Sequence, residues 1–98
     1  MPVFILMIKA EPDNDNPQAG EIAGAYVNCF VEANTFEKAE ETAKRFLKNE
    51  SWVPIALEES WEVTAKDYEN DPAGMEVYQQ VIIDKEKYTF HTYVTEDD

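Results

Sequence analysis

Between Thr35 and Asn49 the apolar residues Phe36, Ala39, Ala43, Phe46 and Leu47 recur at helical spacing, and charged side chains dominate the remaining positions. That pattern admits an amphipathic helix with one buried stripe. Asn34 or Thr35 caps it, and Glu37 stands three residues after Asn34, as a capping box requires. Glu37, Glu40 and Glu41 come early, while Lys44, Arg45 and Lys48 come late, which complements the helix dipole. Glu40–Lys44 and Glu41–Arg45 are i,i+4 pairs in the favourable orientation. A helix with a single stripe needs an apolar surface to lie on, and the flanking segments supply it.

Pro2 to Lys9 is rich in Val, Ile and Phe and reads as a buried strand. Ala10 to Gly20 is dense in Asp, Asn, Pro and Gly and reads as a long loop. Ala23 to Ala33 alternates, with Ala25, Val27, Cys29 and Val31 on one face and Tyr26, Asn28, Phe30 and Glu32 on the other. The first two strands are expected to pair as an antiparallel hairpin. Trp52 to Thr64 reads as one long strand, with Ile55, Leu57, Trp61 and Val63 on one face and Ala56, Glu58, Ser60, Glu62 and Thr64 on the other. Glu59 interrupts the apolar face and predicts a bulge, or a break into a hairpin, near Glu58–Ser60. Pro54 cannot donate a ladder hydrogen bond, so that end is an edge or a strand start. Asp71 caps a second helix that begins at Pro72, presents Met75, Tyr78, Val81 and Ile82, and ends near Asp84. Lys87 to Thr95 is the last strand.

The order is β-β-α-β-α-β. It predicts one α+β domain over residues 1–98, with a short acidic tail at 96–98. The expected architecture is a two-layer sandwich: an antiparallel sheet of about four strands with both helices on one face, ferredoxin-like in plan. The uncovered sheet face is expected to carry Tyr26, Phe30 and either Tyr88 and Phe90 or Tyr93. Such a face is too aromatic to leave fully in water, and a homodimer through it is expected.

The chain of 98 residues has a net charge of −13, with 21 acidic and 8 basic residues. Its 44% apolar content separates it from disordered acidic proteins. The acidity sits in residues 11–21, in residues 58–76 and in Glu96, Asp97 and Asp98. Nucleic-acid affinity comes largely from Lys and Arg on phosphates, so nucleic-acid partners are excluded, and anionic membranes are disfavoured in the same way. The apolar run Val3–Ile8 is far shorter than a membrane span and lacks the positive flank of a signal peptide. A single cysteine, Cys29, allows no intrachain disulfide, and a reducing cytoplasmic setting is expected.

No motif carries catalysis or a cofactor. Cys29 and His91 are the only thiol and the only imidazole, and Cys29 sits mid-strand, where cysteine is a small core residue. One Cys and one His fall short of a zinc site. Asp13-Asn14-Asp15-Asn16 lacks the glycine and terminal glutamate of a calcium loop, and in Asp67-Tyr68-Glu69-Asn70-Asp71 the glycine position holds Pro72. Glu58 and Glu62, with Trp52 and Trp61 near, form the candidate carboxylate pair, which reads as an edge kept soluble by charge.

The stretch Cys29-Phe30-Val31-Glu32-Ala33, the Ala39, Ala43 and Leu47 helix face, Trp52, and the run from Glu59-Ser60-Trp61 to Tyr68 together resemble a family of small bacterial α+β proteins without an assigned activity. The resemblance covers about residues 25–90, rests on core positions, implies a ferredoxin-like fold and carries no catalytic residue. Size and charge are also similar to those of bacterial toxin-immunity proteins. The expected function is that of a non-enzymatic binding or regulatory protein without cofactor. Its partner would be a basic protein, engaged through Glu58, Glu59, Glu62, Asp67 and Glu69. The alternative is a small-ligand-binding or enzymatic dimer with a pocket between sheet and helices.

Overall fold

In the computed structural model, residues 2–94 are described. The acidic tail Glu96, Asp97 and Asp98 lies outside the described residues. The chain runs β1 (Val3–Pro12), β2 (Gly24–Glu32), α1 (Phe36–Asn49), β3 (Trp52–Val63), a 3-10 turn (Ala65–Tyr68), α2 (Pro72–Asp84) and β4 (Glu86–Tyr93). The four strands form one antiparallel sheet in the order β3-β1-β2-β4. The fold is therefore α+β, a four-stranded antiparallel sheet with two helices. No helix among the described residues is long and apolar enough to cross a membrane.

The expected hairpin is present, pairing Val3 with Glu32 at one end and Ala10 with Ala25 at the other. The loop joining its strands is pinned. Asn16, buried to 6% exposure, donates from Nδ2 to the Ser51 carbonyl and accepts the Gln18 amide at Oδ1. The Asp13 amide donates to the same Ser51 carbonyl.

Two departures from expectation concern the third strand. β3 does not split into a hairpin; it stays one strand along β1 and absorbs its misfit in register shifts. Met7 pairs with Glu59 and Ile8 with Leu57, which leaves Glu58 as an extra residue. Lys9 pairs with Ala56 and Ala10 with Pro54, which leaves Ile55 as a second. Each extra residue inverts the alternation. Leu57 therefore shares a face with Ile8, while Trp61 and Val63 share the opposite face with Ile5 and Val3. Ile55, Leu57, Trp61 and Val63 are not on one face, because a constant period of two does not survive the bulges. With no second hairpin, the β-α-β-β-α-β order of ferredoxin-like domains is not reached.

The other correction concerns the helices, which do not lie together. Phe4, Leu6, Ile8 and Ala10 of β1 and Ala25, Val27, Cys29 and Val31 of β2 point to one face, and α1 packs there through Ala39, Ala43 and Leu47. Phe46 stacks on Tyr88, with centroids 3.7 Å apart and planes within 2°. That face is filled, so α2 packs on the other, where Val81 joins Val3, Ile5 and Val63. Sheet and α1 make the two main layers; α2 covers one end of the reverse side.

Both helices are capped as their sequences require. Thr35 Oγ1 accepts the Lys38 amide at 3.2 Å, so Thr35, rather than Asn34, begins α1. Asp71 accepts the Gly74 amide at 3.0 Å, with Pro72 in the first turn of α2. At its far end α2 closes on Lys85 in the left-handed region, φ 74°. The Glu32 amide donates to the Lys85 carbonyl, and the Lys85 ammonium donates to the Glu32 carboxylate at 3.1 Å. The end of β2 and the end of α2 are thereby tied together.

Candidate functional site

The reverse face of the sheet can be read as cross-strand rows. At the end covered by α2, Val63 and Val3 stand beside Glu32, followed by Trp61, Ile5, Phe30 and Lys87. Beyond these lies a row of Glu59, Met7, Asn28 and Thr89, and then one of Ala56, Lys9, Tyr26 and His91. The last row carries Val53 and Tyr93, with Gly24 between them. Neither helix reaches these outer rows through its core contacts.

The open rows, together with exposed Trp61 at the edge of the covered end, combine aromatic and polar groups. Trp61 is 44% exposed and Tyr26 is 39% exposed. Tyr26 lies 5.5 Å from Tyr93, centroid to centroid. Tyr93 crosses Gly24 so closely that a Cβ there would stand 2.5 Å from its hydroxyl, so a side chain at Gly24 would displace the ring. Asn28 Nδ2 and His91 Nε2 approach within 3.5 Å. Of the two aromatic sets open to the last strand, the pairing of Tyr26 with His91 selects Tyr93 for this face, and sends Tyr88 and Phe90 to the α1 side.

The acidic candidates do not converge on one face. Glu62 pairs with Phe4 on the α1 side, Glu59 with Met7 on the open side, and Glu58 occupies the bulge between them. All three are exposed on a strand whose outer edge has no partner strand. Asp67 is committed to structure: its carboxylate accepts the Thr64 amide at 2.7 Å and the Thr64 hydroxyl at 3.3 Å. Glu69 is exposed just beyond that turn. Ion pairs among the described residues go elsewhere, joining Glu40 to Lys44, Glu41 to Lys38 and Glu32 to Lys85.

Cys29 and His91 stand on opposite faces of the sheet. Burial pushes the Cys29 thiol up to about 12, and its hydrogen points toward the Val27 carbonyl 3.6 Å away. A protonated thiol out of reach of the imidazole is a core side chain, not a nucleophile. Tyr88 is also raised above the ordinary tyrosine value, first by burial and then by the Glu86 carboxylate that accepts its hydroxyl at 3.2 Å. Trp52 is buried against Phe90 on the α1 side, so it does not join Trp61 around Glu58 and Glu62. In the Asp13–Asn16 loop, Asp13 Oδ1 accepts the Asp15 amide at 2.8 Å. No three His, Cys, Asp or Glu side chains among the described residues gather as a metal site.

The sequence-based alternative calls for a pocket between sheet and helices, and one is found under α2 whose lining the sequence did not indicate. This pocket of about 170 Å³, between α2 and the sheet, is lined almost wholly by apolar side chains. Val3, Val63 and Val81 are its buried floor, and Phe30, Tyr68 and Tyr78 stand around it half-buried. Gly74 and Val77 line it from α2. A Cβ on Gly74 would lie 2.5 Å from both the Tyr68 ring and the Asp71 carboxylate, so only glycine lets Tyr68 close in. The signal in the sequence was a glycine two residues inside a capped helix.

No protein-family model, no curated protein and no solved structure matches this chain.

Proposed function

We propose that this is a non-enzymatic binding protein that docks a basic protein on the open rows of its sheet, with the β3 glutamates guiding the approach. The observation that carries the reading is the exposed pair Tyr26 and Trp61 on the sheet, with half-buried Tyr93 against Tyr26, beside Glu58 and Glu59. Tyr and Trp are enriched where proteins meet, and their rings lose little conformational entropy on contact. Unpaired carboxylates at the rim chiefly raise the association rate and select partners by charge. A thiol held protonated on the far face from His91 favours binding over nucleophilic chemistry. Immunity to a basic toxin is one concrete form of this role, and a reducing cytoplasmic setting suits the lone buried thiol.

A second copy of the chain is the other occupant, since Lys9 and Glu59 give the face groups of both signs. The two occupants respond oppositely to salt. A basic partner is released as salt rises, whereas self-association against a net charge of −13 strengthens as repulsion is screened. Immobilised wild type and Trp61→Ala are compared in pull-downs at low and moderate salt, and free protein is weighed by light scattering. A partner held by wild type, lost with salt and lost in Trp61→Ala supports the proposal. Retention of the same proteins by Trp61→Ala refutes it, and a monomer of 11.3 kDa at every salt concentration removes the second copy.

A further inference from the structure

We infer that the cavity beneath α2 is a binding site for a small, neutral, aromatic or branched hydrocarbon-like molecule. This inference stands apart from the docking face and does not depend on it. The cavity measures about 170 Å³. Apolar cavities of about 150 Å³ stay free of water and take up a molecule of the size of benzene. The floor residues Val3, Val63 and Val81 offer no polar group that could hold a water. The pocket is partly open to solvent, and water entering it finds few polar partners on the lining, so an apolar guest displaces that water favourably.

Shape and charge narrow the class further. Phe30, Tyr68 and Tyr78 offer ring surfaces, and Tyr68 and Tyr78 lie 5.8 Å apart at 40°. Such rings favour offset or edge contact with a flat guest. Anions are selected against twice. No cationic side chain lines the space. Beside it, Tyr68 stands between Asp67 and Asp71, whose charges add to burial in holding its hydroxyl protonated. A carboxylate entering there would be stripped of water without a partner and placed near two like charges. Gly74 fixes the size of the guest, because a side chain at that position would drive the Tyr68 ring from its place.

The test is a titration of the full chain with benzyl alcohol, followed by backbone amide NMR, with benzoate as the anionic twin. Saturable shifts at Gly74, Val77 and Tyr78 with benzyl alcohol, and binding about tenfold or more weaker for benzoate, are expected. Val77→Phe, which fills the space, abolishes the saturable response, while Ile83→Ser on the exposed side of the same helix keeps it. In wild type, toluene gives intermolecular contacts to the methyl groups of Val3, Val63 and Val81, a readout that stands even if Val77→Phe does not fold. Shifts that never saturate, contacts absent from those three valines, or equal binding of benzoate would overturn the inference.

Discussion

The two faces of the sheet are built from the same strands and end in opposite states. On the α1 side, Leu6, Ile8, Val27 and Leu47 are fully buried, and the helix lies flat along the sheet on Ala39 and Ala43. On the reverse side, α2 buries only Val81 completely, leaves a cavity under its first turns, and leaves the outer rows open. The difference lies in how each helix distributes its apolar residues. In α1 they form one stripe, which one surface satisfies. In α2, Gly74, Val77, Tyr78 and Val81 turn toward the sheet without filling the space beneath them, while Ile83 points away and remains 71% exposed. Stability is thus concentrated on one side, while the other keeps exposed aromatic surface.

The largest test of that division is Leu47→Ala. Removing a fully buried leucine costs the transfer energy of the lost methyl groups and that of the cavity left behind, about 3 kcal/mol in urea unfolding. A loss below about 1 kcal/mol would mean that the α1 side is not the main core, and the comparison would fail.

A pH effect tests the α1 side through its buried thiol. The Cys29 thiol has a folded value of about 12 against an ordinary value of 9.0. Below pH 9.0 both states keep the proton and its full contribution is present. Between 9.0 and about 12 the unfolded chain loses the proton while the folded chain retains it. Stability therefore falls as pH rises, by up to about 1.4 kcal/mol per pH unit from this group. Tyr88, raised in the same direction, adds to the fall at higher pH. Urea titrations of wild type and Cys29→Ala across that window should diverge as pH rises, and parallel curves would show that the thiol is not sealed in the core.

The helix caps sharpen the comparison. Thr35→Ala and Asp71→Ala each remove one side-chain acceptor from a helix start, at about 1 kcal/mol apiece. Their consequences should differ. Loss of the α1 cap is borne by a helix fixed along its whole stripe. Asp71→Ala loosens a turn that also borders the cavity, so amides from Gly74 to Tyr78 should exchange with solvent faster than those of α1. Equal exchange in both helices would count against α2 being the weaker element.

What the sequence disclosed follows the same line. The α1 stripe, its basic end and the Asp71–Pro72 start of α2 are local patterns, and they are found where spacing put them. The faces of β3 were not legible, since two unpaired residues, Ile55 and Glu58, reset the alternation and only the pairing with β1 reveals them. Which aromatic set of the last strand joins Tyr26 depends on register with β2, a relation between distant segments that pairs Tyr26 with His91 and Gly24 with Tyr93. The acidic segment 58–76 looked uniform as a string, yet Asp67 and Asp71 are spent on turns while Glu58, Glu59 and Glu62 remain free of such roles. Charge is read from composition; its availability is read only from geometry.

The smallest expected change in stability is the most telling about recognition. Trp61 is 44% exposed at the edge of the covered end, and its partner across β1 is Ile5, which Val3, Val63 and Val81 already enclose. Trp61→Ala therefore removes a ring that the core does not need, at about 0.5 kcal/mol in urea unfolding. Exposed tryptophans of this kind are where alanine substitution costs binding most. A loss of more than about 2 kcal/mol would place Trp61 in the core and erase the contrast between the faces. A stable variant that no longer retains its partner would instead separate the two functions of one sheet, with one side holding the fold and the other meeting its target.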